Sequence, residues 1–148
     1  SYCGNKCAYT VESPLHFQYF AEWSEEHPED GVLRLYPRLT SGNQFGMDED
    51  TVLEILKKAK ELPEIEAEGI HYFSGTQKKN LKRHQKELAY LDEFLKKAAE
   101  EQIDVRCLEY GSGTAVPYFR DKKAETFEKA GLKGLQDAVK AMQWKRMP

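Results

Sequence analysis

Short apolar runs alternate with longer stretches of helical periodicity along nearly the whole chain. Four runs rich in β-branched and aromatic residues predict strands at residues 6–11, 32–36, 67–73 and 105–110. The second of these strands is predicted to end at Pro37, because proline cannot donate to a ladder. Strands that alternate with helices predict an α/β fold with a parallel sheet and right-handed crossovers.

Local signals mark where the helices begin. Ser13 and Pro14 predict an N-cap and a first turn, and Asp48 and Asn80 are predicted to cap the next two helices. The fourth helix is predicted at residues 122–142, with two glycines that weaken its middle. The apolar positions at helical spacing are Leu15, Tyr19, Phe20 and Trp23 in the first helix, Val52, Ile55, Leu56 and Ala59 in the second, Leu81, His84, Leu88, Leu91, Phe94, Leu95 and Ala98 in the third, and Phe127, Leu132, Leu135, Val139 and Met142 in the fourth.

The spacing of the strands leaves two architectures open. The last three predicted strands begin roughly 36 residues apart, close to the roughly 31 expected when about 250 residues form eight units. The chain therefore has about four βα units, either as a complete doubly wound sheet or as part of a (β/α)8 TIM barrel. Part of a barrel would expose strand edges, so it is expected to pair with the remainder of the barrel or with a second copy of the chain.

Composition and charge narrow the classes of function. The 148 residues are 40% hydrophobic and 32% charged, with a formal net charge of -3. Acidic and basic residues are interleaved, and the basic residues at positions 78, 79, 82 and 83 are predicted to form a solvated helix face, so no nucleic-acid partner is expected. No apolar run approaches the roughly 20 residues of a membrane span, and residues 1–9 do not resemble a signal peptide.

The cysteines predict neither a disulfide framework nor a metal site. Their number is three, which is odd. Cys3 and Cys7 have no second Cys or His pair at a zinc-ligand spacing. Free thiols are typical of a reducing compartment, so a cytoplasmic location is predicted.

Two glycine-containing loops follow predicted strands. Gly111-Ser112-Gly113 comes directly after the fourth strand, and Ser74-Gly75-Thr76 comes after the third. Glycine lets backbone N–H groups approach a phosphate without a Cβ in the way, and two such loops at the ends of neighbouring strands would form one anion site. The alternative from the residues alone is that both loops are ordinary tight turns.

Three side chains on the predicted strands are candidates for a ligand site. His71 and Phe73 are two residues apart and share one face, where the ring of Phe73 could stack on a flat cofactor. The structural alternative is a core phenylalanine beside a buried histidine. Arg34 lies in an apolar run and is predicted to be buried, with Glu12 or Glu109 as its partner.

Four motifs, in order and in register, resemble the diaminopimelate/ornithine decarboxylase family. They are Thr-Val-Glu-Ser at residues 10–13, Val-Leu-Arg-Leu-Tyr-Pro at 32–37 followed by Asn-Gln-Phe-Gly-Met at 43–47, Gly-Ile-His-Tyr-Phe-Ser-Gly-Thr-Gln at 69–77, and Leu-Glu-Tyr-Gly-Ser-Gly at 108–113 continuing to Val-Pro-Tyr at 116–118. The third is similar to the family's Gly-Leu-His-x-His-x-Gly-Ser-Gln, and the fourth to its Leu-Asp-Ile-Gly-Gly-Gly. The resemblance covers nearly the whole chain.

The resemblance implies a fold-type III pyridoxal phosphate enzyme, whose barrel is of the alanine racemase-like type. Its glycine stretch and Gly-Ser pair hold the cofactor phosphate, and the matching positions here are Gly75, Thr76, Gly111, Ser112 and Gly113. The family's His-x-His pair corresponds to His71 and Phe73. The second histidine stacks on the pyridine ring, whereas phenylalanine can stack but cannot donate a proton.

Two parts of the family have no counterpart in residues 1–148. One is the first barrel strand with the Schiff-base lysine, and the other is a C-terminal β-domain. The chain is therefore expected to be a partial pyridoxal phosphate-binding barrel, spanning roughly the fourth to seventh βα units. It is expected to be inactive by itself, and no catalytic residue is assigned within it.

The function implied is that of a fragment of a pyridoxal phosphate-dependent amino-acid decarboxylase. An alternative is a small freestanding α/β module that binds phosphate or pyridoxal phosphate through residues 111–113 without catalysis. A third interpretation is an alanine racemase-type relative or a barrel without activity.

Overall fold

The computed structural model describes residues 7–76, 80–113 and 122–144. Its strands are β1 (Ala8–Val11), β2 (Leu33–Leu39), β3 (Ile65–Glu66), β4 (Gly69–Phe73) and β5 (Cys107–Gly111). Its helices are α1 (Pro14–Glu26), α2 (Glu49–Lys60), α3 (Leu81–Glu100) and α4 (Lys122–Ala141), with a 3₁₀ turn at Pro28–Asp30. The predicted residues Cys3, Lys78 and Lys79 lie outside the described ranges.

The described residues form two compact units. One contains the residues up to Phe73 together with Ala98–Gly111, and it holds the whole sheet with α1 and α2. The other contains Ser74–Lys97 and the residues from Ser112 onward, and it holds most of α3 together with α4.

All strand pairs in the sheet are parallel. The order is β1, β2, β4, β5, and the short β3 pairs with the beginning of β2. In the same unit α1 contacts β1 and α2 contacts β2. This arrangement confirms the α/β class and the parallel sheet predicted from the alternation of strands and helices.

Pro37 lies inside β2, so the prediction that the strand ends there is wrong. On the side of β2 away from β1, Leu33 and Arg34 pair with β3, and Arg38 and Leu39 pair with β4. Pro37 lies opposite the break between β3 and β4, where β2 forms no ladder pair on that side. A missing N–H is tolerated at such an interruption, although it would weaken a continuous central strand.

The predicted helix caps are confirmed. The Ser13 hydroxyl accepts a hydrogen bond from the His16 N–H at 3.1 Å, and the Asp48 carboxylate accepts one from the Thr51 N–H at 2.8 Å. The Asn80 side chain accepts a hydrogen bond from the Lys82 N–H at 2.9 Å. Each cap satisfies a backbone donor that the first helical turn leaves unpaired.

The core agrees with the predicted pattern in α2 and α3 but not in α1. The stripe of α2 is buried, as are most of the apolar positions of α3. In α1 the side chains of Leu15, Tyr19 and Trp23 are exposed, and the buried residues are Phe17 and Ser24. Phe20, the fourth predicted position, is half-buried against the Tyr9 ring of β1. The periodicity therefore identified the helix correctly, but most of the stripe it marks faces solvent. Among the described residues, no helix is long and apolar enough to cross a membrane.

In the second unit α3 lies close to α4 and to the residues that follow it. A Cβ at Gly134 would lie 2.6 Å from a methyl carbon of Leu81, so the predicted weak point of α4 is a place of close helix packing. The Asp92 carboxylate accepts hydrogen bonds from the N–H groups of Gln143 and Trp144, each at 2.9 Å. Met142 is buried as predicted, whereas Leu132 is exposed.

Substitution of Gly69 tests the close packing of the sheet. A Cβ at Gly69 would collide with the carbonyl oxygen of Cys107 and would lie 2.8 Å from the Tyr36 ring. We expect Gly69→Ala to lower the free energy of unfolding by about 3 kcal/mol, because backbone atoms cannot yield to an added methyl group. Urea unfolding followed by circular dichroism measures the loss.

Gly42→Ala is the matched control. Gly42 has a φ of 86°, but an added Cβ would meet no atom within 4 Å. We expect this variant to lose only about 1 kcal/mol, from the left-handed backbone. Equal losses in the two variants would contradict the packing described for Gly69.

Candidate functional site

The longer strands end side by side at one edge of the sheet. Val11 pairs with Pro37, Leu39 with Tyr72, and Phe73 with Gly111. In parallel α/β proteins ligands bind at the carboxyl ends of the strands. Glu12, Phe73 and Gly111 lie at this edge, as the sequence predicted.

One face of the sheet carries charged side chains. In β2 the buried residues Leu33 and Leu35 alternate with Arg34, Tyr36 and Arg38, which point to the opposite face. His71 is the register partner of Arg38 on one side and of Glu109 on the other. We call Arg38, His71 and Glu109 the charged row.

An ion pair joins the charged row to the end of β1. The guanidinium of Arg38 donates to the Glu12 carboxylate at 2.6 Å, and the other carboxylate oxygen accepts from the Gly46 N–H at 3.2 Å. The Arg38 guanidinium also lies over the Phe45 ring, 5.2 Å from its centroid. The sequence prediction for Arg34 is wrong, since Arg34 is exposed and the arginine that pairs with Glu12 is Arg38.

The predicted site residue His71 lies beside a carboxylate. Its Nδ1 is 3.2 Å from Oε2 of Glu109, and its side chain is 19% exposed. The two groups are not aligned as a hydrogen bond, because Nδ1 has no partner of acceptable geometry among the described residues. The two groups are therefore close to each other without forming a directed hydrogen bond.

Phe73 packs directly on the neighbouring strand. A Cβ at Gly111 would lie 2.5 Å from the Phe73 ring, so the ring covers the position where any other residue would place its side chain. Phe73 is only half-buried. Its ring is thus fixed against a glycine backbone and retains a surface for a further contact.

Tyr36 lies on the same face of the sheet as Arg38, two residues further from the carboxyl end of β2. Its ring lies 2.8 Å from the position that a Cβ of Gly69 would take. Burial, followed by a hydrogen bond with the Cys107 thiol, raises the pKa of Tyr36 to about 12.

In the second unit the two predicted glycine loops meet. Gly75 and Gly113 both have left-handed backbones, with φ values of 113° and 58°. A Cβ at Gly113 would collide with the carbonyl oxygen of Gly75 and would lie 3.3 Å from Cα of Thr76. No residue with a side chain fits at position 113 without moving the opposing turn.

The backbone N–H groups of these turns are candidate donors to an anion. Within the described parts of the chain, the N–H groups of Gly75, Thr76 and Gly113 donate no hydrogen bond. Backbone N–H groups in left-handed turns can form concave anion sites. The predicted continuations at Gln77, Thr114 and residues 116–118 lie outside the described ranges.

Two side chains of α3 hold Ser74, the first residue of one turn: Arg83, which the sequence predicted only as part of a solvated helix face, and Glu87, which it did not single out. The Ser74 hydroxyl donates to the Glu87 carboxylate at 2.5 Å, and Arg83 donates to the Ser74 carbonyl at 3.2 Å. The only local signal was the spacing of Arg83 and Glu87 on α3, which is typical of an ordinary surface pair.

A model of the family described as "Pyridoxal-dependent decarboxylase, pyridoxal binding domain" matches residues 34–145. The chain belongs to this family. Membership implies pyridoxal phosphate as the cofactor of the parent enzyme and confirms the resemblance identified from the four motifs.

Two curated decarboxylases are similar to the chain over part of their length. A diaminopimelate decarboxylase of Methanocaldococcus jannaschii is 26% identical over 111 residues, which are 72% of this chain and 24% of the relative. An L-glutamyl-(BtrI acyl-carrier protein) decarboxylase of Niallia circulans is 29% identical over 128 residues, which are 79% of this chain and 30% of the relative. The chain thus spans 24% to 30% of the length of these two relatives.

Solved decarboxylase structures share the fold. The diaminopimelate decarboxylase of M. jannaschii with L-lysine has a TM-score of 0.76 at 22% identity, covering 93% of this chain and 34% of that one. The lysine/ornithine decarboxylase of Vibrio vulnificus with putrescine has a TM-score of 0.71 at 18% identity, covering 93% and 36%. The fold is therefore part of a pyridoxal-dependent decarboxylase barrel, and a doubly wound sheet is not the architecture of these neighbours.

A Tyr36→Phe variant tests the raised pKa of Tyr36. The unfolded chain ionises this phenol near pH 10, whereas the folded chain does so near 12. The contribution of neutral Tyr36 to stability is therefore fully present below pH 10 and is lost as the pH rises towards 12. We expect urea midpoints to fall more steeply between pH 9 and 11 in the wild type than in Tyr36→Phe, and parallel curves would refute the assignment.

A double-mutant cycle of Arg38→Met and Glu12→Gln tests the ion pair of Arg38. The Arg38 side chain is 13% exposed and that of Glu12 is 40% exposed, so solvent screens the pair only in part. We expect a coupling of about 1 kcal/mol in the free energy of unfolding. The exposed pair of Lys58 and Glu54 on α2 is the matched control, and we expect it to couple by about 0.4 kcal/mol. A coupling for Arg38 no larger than that of the control would show that the contact adds nothing to stability.

Proposed function

We propose that this chain forms the phosphate-binding part of the cofactor site in a pyridoxal phosphate-dependent amino-acid decarboxylase of the diaminopimelate/ornithine type. The observation that carries the proposal is the contact between the Gly113 and Gly75 backbones. Family membership supplies the cofactor, and the contact supplies a place where two turns can present donors to a single dianion.

The phosphate would be held mainly by backbone N–H groups. Gly75, Thr76 and Gly113 have N–H donors without a partner among the described residues, and Ser112 lies between Gly111 and Gly113 in the chain. Each donor that faces a charged oxygen forms a stronger hydrogen bond than it would with a neutral acceptor. Gly111, matched to the family's glycine stretch, is assigned to the same role on the resemblance alone.

The pyridine ring would meet Phe73 and His71, by their match to the family's His-x-His pair. Phe73 offers one apolar ring face, and its contact with Gly111 fixes the orientation of that face. It can position a ring but cannot hold or deliver a proton. His71 has an imidazole that can do so, and its Nδ1 lies 3.2 Å from the Glu109 carboxylate.

When bound, the cofactor would take up the electrons released as the substrate loses its α-carboxylate. The substrate class proposed is an amino acid. The similar proteins differ in substrate, since their names specify diaminopimelate, lysine or ornithine, and an L-glutamyl carrier protein. We also propose that the parent enzyme acts in amino-acid metabolism and is located in the cytoplasm.

The remainder of the barrel, or a second copy of the chain, is proposed to complete the sheet. Among the described residues, β1 pairs only with β2 and β5 pairs only with β4, so each strand has one open edge. The exposed apolar side chains of α1, which packs on β1, support a partner on that side. The assignment of the chain to roughly the fourth to seventh βα units remains part of this proposal.

Substitution of Gly113 tests the phosphate site. The ligand is 4′-deoxypyridoxine 5′-phosphate, which keeps the ring and the phosphate but lacks the aldehyde, so that it cannot react with surface lysines. We expect Gly113→Ala to weaken its binding by roughly 10-fold or more, because the added Cβ forces the turns apart and removes hydrogen bonds to a charged group. Isothermal titration calorimetry measures the affinity.

Gly42→Ala serves as the control, because it adds the same methyl group to a left-handed glycine with open space around it. We expect this variant to bind the phosphorylated ligand as the wild type does. The proposal fails if Gly113→Ala binds equally well, or if the wild type binds unphosphorylated 4-deoxypyridoxine as tightly as the phosphate ester.

A further inference from the structure

We propose that Glu87 is a positioning residue for the phosphate turn, acting through Ser74. The inference rests on the proposed function and adds a regulator of affinity that lies on α3, outside the loops that would touch the phosphate. It is carried by a closed ring of hydrogen bonds among Ser74, Arg83 and Glu87.

The ring holds Ser74 by both its side chain and its backbone. The Ser74 hydroxyl donates to Oε1 of Glu87, and Nε of Arg83 donates to the same oxygen at 3.3 Å. Nη2 of Arg83 then donates to the Ser74 carbonyl at 3.2 Å, which closes the ring. Ser74 precedes Gly75 in the chain, so the ring fixes the entry to the turn.

The burial of Glu87 explains why these contacts persist. Its side chain is only 10% exposed, and a buried carboxylate must be paired and hydrogen-bonded. The Arg83 guanidinium compensates its charge, so the carboxylate does not repel an anion bound at the neighbouring turn. The Ser74 hydroxyl is the link through which this anchored group reaches the turn.

The turn is consequently held from two directions. The ring restrains Ser74, and the Gly113 backbone abuts the carbonyl of Gly75. A turn whose N–H groups are fixed before the ligand arrives does not lose conformational freedom on binding. Loss of these hydrogen bonds should therefore weaken binding of the phosphate group without altering recognition of the pyridine ring of the ligand.

Two variants weaken the ring with little change in volume. Ser74→Ala removes the linking hydroxyl, and Glu87→Gln keeps an Oε1 acceptor but removes the charge that pairs with Arg83. We expect each to weaken the binding of 4′-deoxypyridoxine 5′-phosphate roughly 10-fold, as is usual when an outer residue that orients a ligand group is lost. Binding of unphosphorylated 4-deoxypyridoxine should not change.

Conservative and matched variants separate positioning from general stability. Ser74→Thr retains the hydroxyl and should bind within about threefold of the wild type. Glu93→Gln makes the same change as Glu87→Gln at an exposed position of α3, where the carboxylate accepts only from Lys96 among the described residues. It should leave the affinity unchanged. Ser74→Ala that binds within twofold of the wild type would overturn the proposal.

A second readout keeps the inference distinct from the proposed function. Backbone amide order parameters of Gly75 and Thr76 report the rigidity of the turn in the chain without ligand. We expect values near 0.85 in the wild type and below about 0.6 in Ser74→Ala and Glu87→Gln. If the wild type binds no phosphate ester, the proposed function fails, and the order parameters alone then decide the role of Glu87. Unchanged order parameters in both variants would refute that role.

Discussion

The contact between two glycine backbones determines what the turns of this chain can do. At Gly113 the carbonyl of Gly75 occupies the space where a Cβ would stand, and both residues have left-handed backbones. Such an approach exposes peptide N–H groups that a side chain would otherwise cover. Under the proposed function, the affinity of the turns for an anion would be a property of the main chain, and it would depend on the contacts that keep the two turns together.

Local features of the fold were predictable from the sequence, and relations between distant residues were not. The caps at Ser13, Asp48 and Asn80 depend on a few neighbouring residues, so the sequence alone identified them. The position of Pro37 inside β2 depends on the break between β3 and β4, which no local pattern reveals. The exposure of the apolar stripe of α1 was not predictable for a similar reason, because a period of 3.6 residues identifies a helix without saying which neighbours cover it.

The same distinction between local features and relations of distant residues applies to the candidate site. The rule that ligands bind after parallel strands pointed to both glycine loops, and the structure brings their backbones together. The sequence pattern assigned Arg34 rather than Arg38 as the partner of Glu12, and the alternation in β2 places both on the same face. Glu87 was missed because its role arises from a contact between a helix and a turn, whereas its spacing from Arg83 is that of many surface pairs.

Phe73 limits the chemistry that the proposed site can perform. On the face of the sheet that carries the charged row, Arg38 pairs with Glu12, and His71 lies beside Glu109. Phe73 contributes an apolar ring pressed on Gly111, so recognition of a flat ligand there would depend on dispersion and shape. Of the two residues matched to the family's His-x-His pair, only His71 has a ring that can carry a proton. A histidine at position 73 would add a second titratable ring, and its replacement by phenylalanine leaves that function to a single residue.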